Sequence, residues 1–353
     1  MDNGIIRWIA DEEVLQDLVD GYPVLVLLLI VVVSVALLSK GADWMIDGVV
    51  DLAERTGLPK IVIGATVVSL GTTLPEAFVS VMAAFLGNPG LALGNGVGSI
   101  IADTGLIFGL TCVLVAVPVN RFILNRTGWV QIGAATLLVV IAVIALITAD
   151  AGDDPVLGRG VGVFFLILLG VYLYVTYRWA KQGGDLGHDE EVSAEPAMAI
   201  SKAWAMIVGG LVLIVAGARV LVPAASEIAE RVGVPEDVIA ATLVAFGTSL
   251  PELMTAIAAI RKGHPEITVG NIVGADVLNV LFVIGAAAVA APLAIPDNFY
   301  FFHFPAMLII LISFRVFISR ADTSFKRWQG AWLLGVYAVY VTLQYTLNVG
   351  GAV

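Results

Sequence analysis

Charge is scarce in this chain. Asp, Glu, Lys and Arg make up 13% of its 353 residues, against roughly 25% in soluble domains. Cysteine is nearly absent: the single Cys112 lies in an apolar run, which excludes a disulfide framework and says nothing about redox compartment. Basic residues are few, 18 Lys and Arg against 29 Asp and Glu, giving a net charge of −11. This balance argues against nucleic acid as a partner. The three histidines, His188, His264 and His303, fall in connections or near a span end and form no zinc set. What fills the chain is apolar: 59% of residues are hydrophobic and the mean hydropathy is +0.98. Such a surplus cannot all be buried inside a globule and needs lipid as its outer solvent. A soluble enzyme is excluded, and the chain reads as one polytopic domain in the lipid bilayer. Nothing in the sequence bears on oligomeric state.

The first twenty residues hold Asp2, Asp11, Glu12, Glu13, Asp17 and Asp20 against one Arg7. A cleavable signal peptide needs a basic start, so the first apolar run is expected to remain as a helix. Windows of about 20 apolar residues predict ten spans near 22–52, 60–86, 91–117, 128–148, 157–178, 203–229, 236–262, 267–294, 299–319 and 328–348. Alternate connections are basic: Arg55 and Lys60; Arg121 and Arg126; Arg178, Lys181 and Lys202; Arg261 and Lys262; Arg320, Lys326 and Arg327. The opposite side holds only Arg7, Arg159 and Arg231, while Lys40, Arg219 and Arg315 lie near or within spans. By the positive-inside rule both termini are expected outside the cell membrane. Trp129, Trp179, Trp328, Tyr300 and Phe301 lie near predicted span ends, as an interfacial belt would place them.

The sequence repeats itself. Residues 41–109 align with 217–285 without a gap, and 25 of these 69 positions are identical. The match includes AERxGxP at 53–59 and 229–235, GTxLPE at 71–76 and 247–252, and GNxVG at 94–98 and 270–274. Five spans separate equivalent helices, and an odd number inverts orientation. The expected fold is therefore all-α, ten transmembrane helices arranged as two inverted five-helix repeats, the plan of secondary transporters. The first repeat is 1–178 and the second 203–353, joined by a cytoplasmic linker at 179–202 that contains Gly183, Gly184, Asp185, Gly187, His188, Asp189, Glu190 and Glu191.

Glu76 and Glu252 fall near the middle of apolar spans. An acid at a helix centre costs roughly 2.5–3.5 kcal/mol on insertion scales, and no buried Lys or Arg is placed symmetrically to balance the pair. A cation from solution is the simplest substitute. Proline supplies the second half of the argument. Pro75 and Pro251 have no N–H to give to the carbonyls of Gly71 and Gly247, so each break frees backbone oxygen beside a glutamate. Irregular backbone at membrane depth is tolerated where it lines a cavity. Carbonyl, hydroxyl and carboxylate together form the oxygen set that hard cations prefer. Ser69, Thr72, Thr73, Thr248 and Ser249 add hydroxyls, and positions 69, 72, 73 and 76 share one helical face.

The third and eighth spans carry GNGVGSIIAD at 94–103 and GNIVGADVLN at 270–279. Asp103 aligns with Asn279 and Ser99 with Ala275, so the site is expected to be only approximately two-fold, with the charge on the first half's side. Asp276 aligns with Ile100. It joins the cavity or faces an aqueous vestibule, and the sequence favours neither. Asn95 and Asn271 are expected to cap or bridge helix breaks rather than bind ions.

These residues resemble the calcium/cation antiporter superfamily, the sodium/calcium exchangers and their prokaryotic relatives. Their two alpha repeats carry a G-T-S-x-P-E core and a G-N-x-x-G-S-N stretch ending in Asn or Asp. The resemblance covers roughly 140 of the 353 residues. It implies Glu76 and Glu252 as central ligands, helped by the backbone carbonyls of Thr72 and Thr248, with Asp103 and Asn279 at the inner positions. It also implies flanking sodium sites built from Thr73, Ser249, Ser99 and the carbonyls of Ser69 and Ala245. Two departures stand out: the Asn and Asp of archaeal exchangers are exchanged between the third and eighth helices, and GSN becomes GSI at 98–100 and GAD at 274–276.

The expected function is antiport of Ca2+ against Na+, with these ions as cargo and no cofactor. Competition for shared carboxylates couples the two, and movement of the first and sixth spans alternates access. Coupling to H+ or K+ is the nearest rival. Paired acids also admit an intramembrane acid-dyad hydrolase, although the flanking Thr, Ser and broken helix give more ligands than a dyad needs. A passive cation channel is disfavoured, because an acid-rich centre binds too tightly for fast passage.

Overall fold

A computed structural model describes residues 19, 21–85, 87–149, 154–183, 198–231, 249–321 and 323–346. Helix α1 spans Val24–Thr56 and stops at Gly57, whose φ of 64° gives the left-handed cap that glycine adopts without strain. Helices α2 (Lys60–Thr72) and α3 (Leu74–Phe85) are two arms bent by 41° at Thr73. Helix α4 (Pro89–Leu114) opens on Asn88, whose side chain accepts from the Leu91 N–H, with Pro89 in the first turn. Asn120 caps α5 (Arg121–Thr148) in the same way through Ile123. There follow α6 (Arg159–Gly183), α7 (Ile200–Arg231), α8 (Leu250–Arg261), α9 (Pro265–Ala290), α10 (Phe299–Arg320) and α11 (Arg327–Thr346).

Among the described residues seven helices are individually long and apolar enough to cross a membrane, or eight if α2 and α3 form one bent span. Of the expected seventh span, 236–262, residues 236–248 lie outside the described residues, as do linker residues 184–197. Helix α11 stands where the tenth was expected. Connections are tighter than the hydropathy windows suggested. Arg121 and Arg126, expected in a loop, belong to the first turns of α5, and Arg320 ends α10. Long basic side chains can keep their heads at the interface while their stems stay on the helix.

The repeat reappears in the elements. Helices α3 and α8 begin and end 176 residues apart, and so do the Pro89–Ala102 and Pro265–Leu278 parts of α4 and α9. Both of the latter then widen into π-helical turns, Asp103–Phe108 and Asn279–Ile284, before resuming as α-helix. Helices α4 and α9 form the centre, 72% and 83% buried over their apolar windows. Helices α1, α5 and α6, at 22–28%, face outward.

Glycine sets the closest crossings. A Cβ on Gly48 would stand 2.6 Å from the Ala203 carbonyl, and one on Gly210 2.5 Å from that of Gly41, so α1 and α7 meet backbone to backbone. Gly64 and Gly274 do the same between α2 and α9, against the Ile267 and Ala65 carbonyls at 2.5 Å. Two short antiparallel ladders, too short to leave a pattern in the hydropathy windows, close the ends: β1 (Val117–Pro118) pairs with β4 (Ser324–Phe325), and β2 (Val156–Leu157) with β3 (Leu293–Ala294).

Candidate cation site

The break at Thr73 puts Glu76 in the first turn of α3, and the corresponding turn at Ser249 puts Glu252 in the first turn of α8. A carboxylate is favoured there, where the unpaired N–H groups of a helix start carry partial positive charge. Neither side chain faces lipid, since Glu76 is 1% and Glu252 2% exposed. Asp103 and Asn279 open the two π-helical turns. Such turns interrupt the regular i→i−4 ladder and recur at functional sites.

These elements bring the acids into mutual electrostatic reach. Glu76 acts on Glu252, Asp103 on Glu76, and Glu252 and Asp276 on Asp103. The Thr72 hydroxyl stands beside Glu252 and Ser249 beside Asp103. Ser69, Thr72, Thr73, Ser99 and Asn279 are all buried around them. Thr248 and Ala245 lie outside the described residues.

The hydrogen-bond inventory shows what this cluster lacks. Thr73 Oγ1, both oxygens of Glu76, Ser99 Oγ, both oxygens of Asp103, Ser249 Oγ, Glu252 Oε2, Asp276 Oδ1 and Asn279 Oδ1 are buried without a protein partner. Buried polar atoms are overwhelmingly paired in folded proteins, so ten unpaired oxygens in one region call for a ligand. Seven of them belong to carboxyl or amide groups and three to hydroxyls. Among the described residues no three acids, histidines or cysteines are close enough to hold a metal by themselves. A cation must therefore draw on hydroxyls and carbonyls as well as on carboxylates.

The remaining polar groups brace the breaks. Asn95 Nδ2 donates to the Glu76 carbonyl at 3.0 Å and to Ser80 Oγ at 2.9 Å. Asn271 Nδ2 donates to Thr255 Oγ1 at 3.3 Å, which itself donates to the Glu252 carbonyl at 2.9 Å. Thr72 Oγ1 reaches Asn271 Oδ1 at 3.3 Å and the Ser69 carbonyl at 3.4 Å. Both asparagines thus bridge helices, as expected. Asp276 is 1% exposed and lies among α4, α5 and α9, where Thr104 Oγ1 and Gln131 Nε2 both donate to its Oδ2.

Gln131, Thr104 and Arg219 escaped the sequence reading as parts of this region. Gln131 carried a signal, being a lone amide inside an apolar span, but its partner is 145 residues away. Arg219, on α7, acts electrostatically on Glu76 from one half only.

Residues 26–178 and 202–346 match the family described as "Sodium/calcium exchanger protein". The inner membrane protein YrbG of Escherichia coli is 30% identical over 326 residues, covering 90% of this chain and 97% of that protein. The sodium/calcium exchanger MaX1 of Methanosarcina acetivorans is 29% identical over 341 residues, covering 89% and 97%. A solved structure of the sodium-calcium exchanger NCX_Mj, soaked with Na+ and Sr2+, superposes with a TM-score of 0.76 at 26% identity, covering 91% of this chain and 99% of that one. The chain belongs to the sodium/calcium exchanger family and is a multi-pass membrane transporter, not an enzyme.

Proposed function

We propose that the chain exchanges Ca2+ for Na+ by alternating access, as ten spans in two inverted five-helix repeats with both termini outside. The observation that carries this reading is the set of unpaired buried oxygens gathered around Glu76, Glu252 and Asp103. Ca2+ takes 6–8 oxygen ligands, and Glu76, Glu252 and the Thr72 and Thr248 carbonyls are its ligands, with Asp103 and Asn279 at the inner edge. Thr73, Ser249, Ser99 and the carbonyls of Ser69 and Ala245 serve flanking Na+ ions. Both cargoes need the same carboxylates. Loading one expels the other, and that competition is the coupling.

Occlusion follows from charge. An unloaded site keeps several buried carboxylates together without balance, which opposes closing it from water. A filled site is neutral enough to cross. The moving part is the α1–α7 pair, whose backbones are in contact along Gly41, Gly48 and Gly210, so that the two helices shift as one block against α2, α8 and α9. The element bounds repeated at a spacing of 176 residues support the two-repeat plan.

The test is Ca2+ uptake by purified protein in vesicles, with gradients of Na+, H+ and K+ imposed separately. Uptake should require an opposing Na+ gradient. Equal uptake with and without that gradient, or uptake driven by a pH gradient alone, overturns the reading.

A further inference from the structure

Asp276 is the one buried acid of this region that the proposed exchange leaves without a task. Its Oδ2 is occupied, because an amide N–H of Gln131 and the hydroxyl of Thr104 both donate to it. Its Oδ1 is buried and has no partner. The neighbouring carboxylate is Asp103, which immediately precedes Thr104 on the π-helical turn of α4 and has both oxygens unpaired. The charged groups that act on Asp103 are Glu252 and Asp276, both acids. Arg219 acts on Glu76, at the other end of the cluster.

Charge arithmetic then sets the requirement. Glu76, Glu252, Asp103 and Asp276 carry four negative charges when ionised; one Ca2+ and the Arg219 guanidinium supply three positive ones. One negative charge is left, deep in a medium where an unbalanced charge costs several kcal/mol. The two neutral donors on Oδ2 ease that cost and do not cancel it. Asp276 is poorly suited to Ca2+ itself. It can offer one oxygen and no bidentate grip, whereas Ca2+ sites gather 6–8 oxygens with carboxylates often bidentate. One free carboxylate oxygen beside a second carboxylate suits a weaker, singly charged cation.

We propose that Asp276 and Asp103 form a separate site for one monovalent alkali cation, held between α4, α5 and α9 and occupied while Ca2+ is bound, with Gln131 as the residue that positions Asp276. This deepens the exchange reading, because it assigns a third ion to the loaded state, and it rests on that reading for the Ca2+ part alone.

The experiment is equilibrium dialysis of the purified full chain in detergent with radioactive Na+ and, separately, Tl+ as a K+ substitute, on a choline background, with and without saturating Ca2+. Wild type should retain one monovalent cation per chain at saturating Ca2+. The near-isosteric Asp276→Asn should retain none while still binding Ca2+, and Gln131→Leu should weaken retention several-fold. No monovalent cation on Ca2+-loaded wild type, or an unchanged count in Asp276→Asn, overturns the proposal. If wild type binds no Ca2+ at all, the exchange reading fails. The Ca2+-free count still decides the Asp276 site, which predicts one ion fewer in Asp276→Asn.

Discussion

Glu76 and Glu252 each sit one turn after a helix break, buried to 1–2% exposure, with three of their four carboxylate oxygens unpaired. Replacing either by Gln removes one charge from an acidic cluster in which Glu76 has Arg219 acting on it and the acids still outnumber that cation, so the apo protein should lose no stability while function disappears. We expect Glu76→Gln and Glu252→Gln to abolish Ca2+ flux. In thermal unfolding, Ca2+ at 100 times its dissociation constant should stabilise wild type by about 2.7 kcal/mol and either variant hardly at all. A variant that still exchanges Ca2+ at the wild-type rate would refute the assignment. Asn95→Ala tests the bracing of the break: losing the bonds to the Glu76 carbonyl and Ser80 should cost about 1–3 kcal/mol, read as a lowered unfolding midpoint without Ca2+. At this scale the sequence was informative where residue type and position coincide, as with an acid beside a proline in an apolar run. It marked Gln131 only as a lone amide in an apolar span and was silent on Thr104, because their roles arise from contacts 145 and 172 residues away along the chain.

Between elements, the informative contacts are those that leave no room. Gly210 faces the Gly41 carbonyl and the Met45 backbone nitrogen, at 2.5 and 2.8 Å from a built Cβ. Gly210→Val must push α7 off α1, and overpacking of this kind costs about 1–3 kcal/mol. We expect a lowered unfolding midpoint and, if the pair moves as one block, a larger fall in transport rate than in equilibrium Ca2+ binding. Equal falls in both would tie the glycines to stability alone. At the turn between α8 and α9, His264 Nδ1 lies 3.1 Å from Lys60 Nζ and 3.4 Å from Glu266. Burial and then Lys60 hold its pKa below the ordinary value, while Glu266 and Glu54 oppose this. The unfolded chain therefore takes up the proton more readily. The contribution of His264 to stability is complete above about pH 6.5, its unfolded pKa, and is lost as pH falls through the lower folded value. His264→Gln should make the unfolding midpoint less sensitive to a change from pH 7.5 to 5.5, and an unchanged slope would remove His264 from the account. Hydropathy located the described spans within several residues. It could not see the π-helical turns at Asp103 and Asn279, because one wide turn barely alters an apolar period that α4 and α9 satisfy all round.

For the whole molecule, the proposed ten spans would put both ends of the chain on one face, which the positive-inside count assigns to the outside. With Cys112 replaced by Ala, single cysteines introduced before Val24 and after Thr346 should both react with a membrane-impermeant maleimide on intact cells, and one at Lys262 should not. Labelling at only one terminus would mean an odd number of crossings. The recurrence of element bounds at a spacing of 176 was legible from the repeat itself, since residues 41–109 match 217–285 without a gap. The way the halves are stitched was not, because two-residue strands leave no pattern to read.

That stitching bears on how such a chain is made. Each ladder joins a strand from one half to a strand from the other, β1 with β4 and β2 with β3, and among the described residues none closes within a half. A nascent chain emerging from the ribosome holds β1 and β2 open until residues 293–325 have followed, so the amino-terminal half waits for its mate before it can settle.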